Sequence, residues 1–217
     1  MIVGICGLIG SGKNTVADWL ISDHGFKQES FASSLKDAVA AIFGWPRLML
    51  EGTTDESRAW RETVDGWWAS RLNIPHLTPR WVLQHWGTEV LRGHFHDDIW
   101  IASCEHRMLL TTTNVVITDL RFPNEFASLR RMGATVLRVQ RGPDPDWFAA
   151  AAQWNTLPSV SPVAREAKML LDQAGVHASE WSWAGQTVDH CVINDGTLED
   201  LHERVNNILY KIGTTQS

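Results

Sequence analysis

Residues 7–13 read Gly7-Leu8-Ile9-Gly10-Ser11-Gly12-Lys13, and the chain on either side of them decides the fold. Upstream, residues 2–6 form a short continuous apolar run, the pattern of a parallel strand buried on both faces. Downstream, Val16, Ala17, Leu20 and Ile21 recur at helical spacing within 13–22. Strand, Gly-rich turn and helix follow in order, and the turn matches the first seven positions of the P-loop phosphate-binding pattern. Its glycines let the backbone wrap so that successive N–H groups point at one anion, and the helix start adds its positive end. Lys13 then reaches the β- and γ-phosphates as a point charge. A turn whose glycines only shape the chain is the bland alternative. The flanking strand and helix, with the lysine in register, favour phosphate binding by Gly10, Ser11, Gly12, Lys13, Asn14 and Thr15.

Asn14 occupies the eighth position, where Ser or Thr normally meets Mg²⁺, and Thr15 follows it. Thr15 is the expected metal hydroxyl, with the choice between Asn14 and Thr15 open at this stage. The clearest later strand, 115–118, ends in Asp119, where P-loop proteins hold Mg²⁺ or its water shell. Parallel strands bring their C-terminal ends to one sheet edge, so Asp119 is expected beside the phosphate loop. A turn or capping role for Asp119 fits the spacing equally well. Arg121 and Glu125 are expected near the same edge.

The rest of the chain alternates strands and helices. Helical spacing marks 33–43, 81–91, 99–110 and 124–132, the last followed by Gly133 as a helix-ending residue. Strands are expected at 135–139 and 188–193, then an Asn194-Asp195-Gly196 turn and a helix over 197–211 with Thr197 as N-cap and Asp200 three residues on. Residues 45–79 are Trp-rich and charged without a clean period. Residues 141–187, rich in Pro, Ala, Ser and Trp, read as an insertion with one helical stretch near 164–174. The pattern predicts an α/β protein, a three-layer P-loop fold with a parallel sheet covered on both faces, built as one domain over 1–217.

Composition narrows the partners. The formal net charge is −6, so no broad basic surface for nucleic acid is implied, while a local basic pocket for a nucleotide is compatible with it. Cys6 and Cys191 lie in apolar strand-like runs and read as small buried hydrophobes, and the three cysteines lack metal spacing. A reducing cytoplasm and no disulfides are expected. No run approaches membrane-spanning length, and the N-terminal residues read as a first strand, not a signal peptide. His94, His96, Asp97 and Asp98 cluster but read as a solvated helix entry. The 12 tryptophans have no single account at this level. Arg61, Arg80, Arg92, Arg121 and Arg141 are candidate phosphate clamps, among which composition does not choose.

Several blocks together resemble the phage-type deoxynucleoside monophosphate kinases. They are the 7–15 loop with its Gly-Lys-Asn-Thr ending, Arg61-Glu62-Thr63, Thr78-Pro79-Arg80 with Leu83-Gln84 and Gly87-Thr88-Glu89, residues 98–100, Thr118-Asp119-Leu120-Arg121-Phe122-Pro123-Asn124-Glu125, and residues 194–201. The resemblance implies a nucleoside-monophosphate-kinase-like fold, with an acceptor-binding region at about 45–110 and a lid at about 141–187. It implies ATP as co-substrate with Mg²⁺, small-molecule nucleotides as partners, and the cytoplasm of a host if the chain is phage-encoded. By position, Lys13, Arg80, Arg121 and Asp119 look catalytic. Arg61, Arg80, Gln84, Trp100 and Glu125 look like acceptor ligands, and Asn194 and Gly196 resemble the loop beside the donor base. A kinase of another phosphorylated metabolite, such as a coenzyme A precursor, is the next reading. An ATP-hydrolysing switch is a third, with no clear residue to position its water.

Overall fold

The computed structural model describes residues 1–215. Its first elements are β1 (Ile2–Cys6), α1 (Lys13–His24), β2 (Lys27–Glu29), α2 (Ser33–Phe43), α3 (Asp55–Glu62), α4 (Gly66–Leu72) and α5 (Pro79–Gln84). A π-helical segment, His85–Phe95, continues α5. There follow α6 (Ile99–Leu109), β3 (Val115–Ile117), α7 (Pro123–Arg131), β4 (Thr135–Gln140), α8 (Trp147–Thr156), α9 (Pro162–Ala174), α10 (Ala178–Trp181), β5 (His190–Ile193) and α11 (Leu198–Thr215).

The five strands form one sheet in the order β2-β3-β1-β4-β5, and each pairing is parallel. Central β1 pairs on both sides, Val3 standing opposite Val116 of β3 and Thr135 of β4, which explains its unbroken apolar sequence. On one face Val3 and Ile5 pack with Val16 and Leu20 of α1 and Leu201 and Val205 of α11. On the other, α7 approaches so closely that a Cβ at Gly4 would lie 2.6 Å from Leu129 Cδ1. The expected three-layer α/β fold is therefore present, with β1 and β3 delivering residues 7–13 and Asp119 to one edge.

The chain divides into two compact units, Met1–Glu29 with Leu110–Ser217, and Ser30–Leu109. The α2–α6 segment has a core of its own. Leu35, Val39, Phe43, Trp45, Leu50, Leu77, Val82 and Trp100 are buried there. Trp60, Trp68, Trp81 and Trp86 pack against that core, which accounts for half of the 12 tryptophans. Phe43 stacks on Trp45 at 4.4 Å and meets Trp68 at 4.8 Å, contacts that add to the burial of their area. The expected acceptor region at about 45–110 falls almost wholly within this second unit, which also takes in α2.

Residues 141–187 carry three helices, not the one expected. Helix α9 buries Ala164, Ala167 and Leu171, and α8 buries Ala150 and Ala151 against it. Alanine gives α8 little contrast between faces, so its period is invisible in sequence. Arg138 on β4 ties this segment to the sheet, pairing with Asp144 and lying 4.6 Å over the Phe148 ring and 5.3 Å from that of Trp183. Cys191 corrects an expectation: it is exposed, because β5 is an edge strand with one covered face, whereas Cys6 and Cys104 are buried.

Candidate phosphate-transfer site

The loop between β1 and α1 is shaped by positive backbone angles, φ 146° at Gly7 and 103° at Gly12. Side chains are excluded at both. A Cβ at Gly7 would meet the Val139 carbonyl at 2.3 Å, and one at Gly12 would meet Asn194 Nδ2 at 2.5 Å. Gly12 is the N-cap residue of α1 and no side chain caps the helix, so backbone N–H groups at its start await another acceptor. Ser11 is 3% exposed and its Oγ is buried without a hydrogen-bond partner. A cavity of about 120 Å³ opens beside the loop, lined by Leu8, Gly10 and Ser11 with Arg138, Gln140 and Arg141. Orphaned donors, an orphaned hydroxyl and Arg141 describe a cradle for an anion, while Arg138 on the same wall is already paired with Asp144, which also lines the cavity.

Lys13 folds back over this loop, its Nζ donating to the carbonyls of Gly7 at 2.7 Å and Leu8 at 2.8 Å. Burial lowers its pKa below the ordinary lysine value, and the like charge of Arg121 lowers it further, while Glu180 opposes both. Arg121 lies 3.4 Å from Glu180 of α10. The backbone that carries Arg121 is held by Glu125, whose Oε2 accepts from the N–H groups of Arg121 at 2.8 Å and Phe122 at 3.0 Å. Glu125, expected on the acceptor, is 3% exposed and performs this capping instead. Asp119 leaves β3 half-buried.

Asn194, expected beside the donor base, also reaches the phosphate loop. Its Nδ2 donates to the Ser11 carbonyl at 2.9 Å. Gly196 sits in the following turn, closed by Asp200, which accepts from the Thr197 N–H at 2.8 Å while Thr197 Oγ1 caps α11 in return. Neither the Asn194 contact nor Glu180 was legible as part of the site, since both arise from packing between segments distant in sequence.

The remaining expected residues lie in the second unit. Arg80 pairs with Glu62 at 2.9 Å, and Gln84 is exposed at the end of α5. Arg61 packs against Gly52, its Nε buried without a partner. Burial lowers its pKa first, then the positive charges of Arg80 and Arg58, against the pull of Glu62 and Glu51. Trp100 is 7% exposed, its indole N–H donating to the Gly87 carbonyl at 2.8 Å, which places it in the core of that unit.

Among the described residues no group of three or more His, Cys, Asp or Glu side chains is placed to hold a metal. At the His94–Asp98 cluster, just before α6, the Asp98 N–H donates to His96 Nδ1 at 3.1 Å. The sparse oxygen set of Thr15 or Asn14 and Asp119 suits Mg²⁺, which keeps several waters and takes few protein ligands. Thr15 and Asn14 are both exposed in the first turn of α1.

A five-stranded parallel sheet with this loop, lysine and following helix defines a P-loop nucleotide-binding fold. No protein-family model matches the chain. It is 31% identical over 153 residues to the provisionally named deoxynucleotide monophosphate kinase of Acanthamoeba polyphaga mimivirus, covering 65% of this chain and 74% of that protein. The chain belongs to the deoxynucleotide monophosphate kinase family. Among solved structures, TT1252 from Thermus thermophilus is 21% identical with 97% of each chain covered and a TM-score of 0.45. The dephospho-CoA kinase from Campylobacter jejuni is 15% identical, with 100% of this chain and 98% of that one covered and a TM-score of 0.45. Likenesses of that degree do not bear on the substrate. No helix among the described residues is long and apolar enough to cross a membrane.

Proposed function

We propose that this kinase transfers the γ-phosphate of ATP to a deoxynucleoside 5′-monophosphate, giving ADP and a deoxynucleoside diphosphate. The observation that carries the acceptor reading is the Arg61–Arg80 pair. Arg61, of the second unit, has its charge disfavoured first by burial and then by the positive charge of Arg80, and it keeps a buried Nε without a partner. Such a pair is stabilised by an incoming dianion, and arginine suits it because its planar fork binds phosphate oxygens in pairs. A nucleoside monophosphate supplies that dianion, and the family relationship to a protein named for deoxynucleotides supports the sugar.

In this reading the loop N–H groups and Lys13 bind the donor phosphates, Arg121 stabilises charge on the transferring group, and Arg61 and Arg80 grip the acceptor phosphate. Gln84 reads the acceptor base, and Trp100 supports the pocket from the core through Gly87. Thr15, or Asn14, and Asp119 would hold Mg²⁺, which when bound neutralises charge on the β- and γ-phosphates. The acceptor phosphate is ionised near neutral pH, so no strong general base is needed. Residues 141–187 act as the lid, excluding water from the donor phosphates. Catalysis is then chiefly positioning and charge.

The test is ADP formation from ATP and Mg²⁺ with dAMP, dCMP, dGMP, dTMP or the matching ribonucleotides, against a control without acceptor. Turnover that requires one or more deoxynucleotides is expected. ADP release without acceptor, or only with a different phosphorylated metabolite, would overturn the proposal.

A further inference from the structure

We infer that Asn194 is a positioning residue that locks the peptide between Ser11 and Gly12, so that the turn after β5 sets the shape of the phosphate loop. The inference rests on the nucleotide-kinase reading only in taking the loop's ligand to be a phosphate chain.

The geometry begins with Gly12. At φ 103° it turns the chain into α1, and its missing Cβ leaves a space that Asn194 fills: a methyl there would stand 2.5 Å from Asn194 Nδ2. From that position the same Nδ2 donates to the Ser11 carbonyl at 2.9 Å. A trans peptide is planar, with its C=O and N–H on opposite sides. Holding the Ser11 carbonyl toward Asn194 therefore fixes the Gly12 N–H on the side away from Asn194. Without the bond, this peptide flanked by a positive-φ glycine could rotate and present its carbonyl oxygen where a donor is needed.

Asn194 is itself well held. Its backbone N–H donates to the Gln140 carbonyl at 2.7 Å, extending the β4–β5 ladder by one bond, and Arg204 donates to the Ile193 carbonyl just before it. The bond to Ser11 is partly buried and spans 183 residues of sequence, so it joins the first loop of the chain to its last turn. A carboxamide suits the place because it is neutral and supplies a donor. An aspartate would accept only and would set a negative charge behind the anion cradle.

The experiment measures binding of inorganic tripolyphosphate, ATP and GTP to the full chain and to Asn194→Leu and Asn194→Ala, both uncharged and lacking the donor. Loss of the lock should weaken tripolyphosphate and ATP by the same factor, about tenfold or more, and leave the ratio of ATP to GTP affinity unchanged. If Asn194 serves the base alone, the ATP-to-GTP ratio changes while tripolyphosphate binding stays within twofold, and the proposal fails. Should neither variant fold, the wild-type protein decides. During tripolyphosphate titration its Gly12 amide resonance should shift while the Asn194 side-chain amide stays protected from exchange, and loss of that protection on binding would overturn the lock. A wild-type protein that binds neither tripolyphosphate nor ATP would refute the nucleotide reading, and the lock with it.

Discussion

The Arg121 guanidinium lies 3.4 Å from the Glu180 carboxylate, joining the turn after β3 to the short helix α10. The Arg121 side chain is 48% exposed, so the pair adds little to stability. Its effect is electrostatic, because the same carboxylate offsets positive charge at Lys13. Glu180 thus supplies negative charge where phosphate oxygens are to bind, and the incoming phosphates compete with it. Glu180→Gln is expected to tighten tripolyphosphate binding roughly three- to tenfold at low ionic strength, with the gain shrinking as salt is added. Thermal unfolding should hardly move. Isothermal titration at two salt concentrations checks this, and equal affinity in variant and wild type at low salt would remove Glu180 from the site.

The lowered pKa of Lys13 has a sign that can be followed. Its causes are burial first and then Arg121, both of which disfavour the ammonium. The folded chain therefore releases this proton below the ordinary value of 10.5, while the unfolded chain still holds it. In that window folding stability rises with pH, because the unfolded state binds more protons. Phosphate affinity moves the other way, since the loop loses its cation as pH rises through the lowered value. Affinity for tripolyphosphate measured from neutral pH upward should fall before 10.5, and Arg121→Ala should move the fall to higher pH. Lys13→Ala should flatten the profile and reduce transfer by about two to three orders of magnitude with the fold intact. Transfer at the wild-type rate in that variant would remove the loop from the chemistry.

Arg61 and Arg80 give the corresponding test for the acceptor. Arg80→Ala leaves one of the paired charges and should raise acceptor KM and lower kcat, a combined loss of about 30-fold or more. Tripolyphosphate affinity should be unchanged, because that ligand needs only the loop of the first unit. Arg61→Ala should behave alike and also remove a buried, unpartnered Nε, so its melting temperature should not fall as far as truncation of a satisfied arginine would. Steady-state kinetics with varied acceptor at saturating ATP separate the two substrates. An Arg80→Ala enzyme with unchanged acceptor KM and kcat would exclude the pair as the acceptor clamp.

Much of this architecture was legible because the first unit is built from locally consistent signals. The run 2–6, the glycines at 7, 10 and 12, and the strand at 115 each carry their structure in their own composition, and in the second unit α2 likewise falls on the residues that its spacing marked. What was hidden depended on partners far along the chain. Strand β2 reads Lys27-Gln28-Glu29, polar to the eye, and is a strand because β3 offers it an edge. The segment over 81–91 shows helical spacing, yet residues 85–95 wind as a π-helix, a distinction that side-chain polarity does not encode. Glu125 illustrates the limit at the site. Its type and place suggested a substrate ligand, whereas its position three residues into α7 makes it a cap for the backbone at Arg121 and Phe122.

The cysteines offer a check on the sheet edge itself. Cys6 lies at the end of the central strand, where burial raises its thiol to about 12 despite the nearby positive charges of Arg138 and Lys13. A thiol held that high is almost wholly protonated at neutral pH, and the thiolate is the reactive form. Cys104 is buried in α6 of the second unit. Cys191, on edge strand β5, alone of the three is exposed, its Sγ 3.6 Å from Gln140 Oε1 of the neighbouring β4. Titration of the native protein with a chromogenic disulfide should therefore release one equivalent rapidly, and Cys191→Ser should abolish that phase. Denaturant should then free the remainder. A second fast equivalent in the native protein would mean that β1 or α6 opens readily, which the packing of Cys6 and Cys104, both fully buried, does not permit.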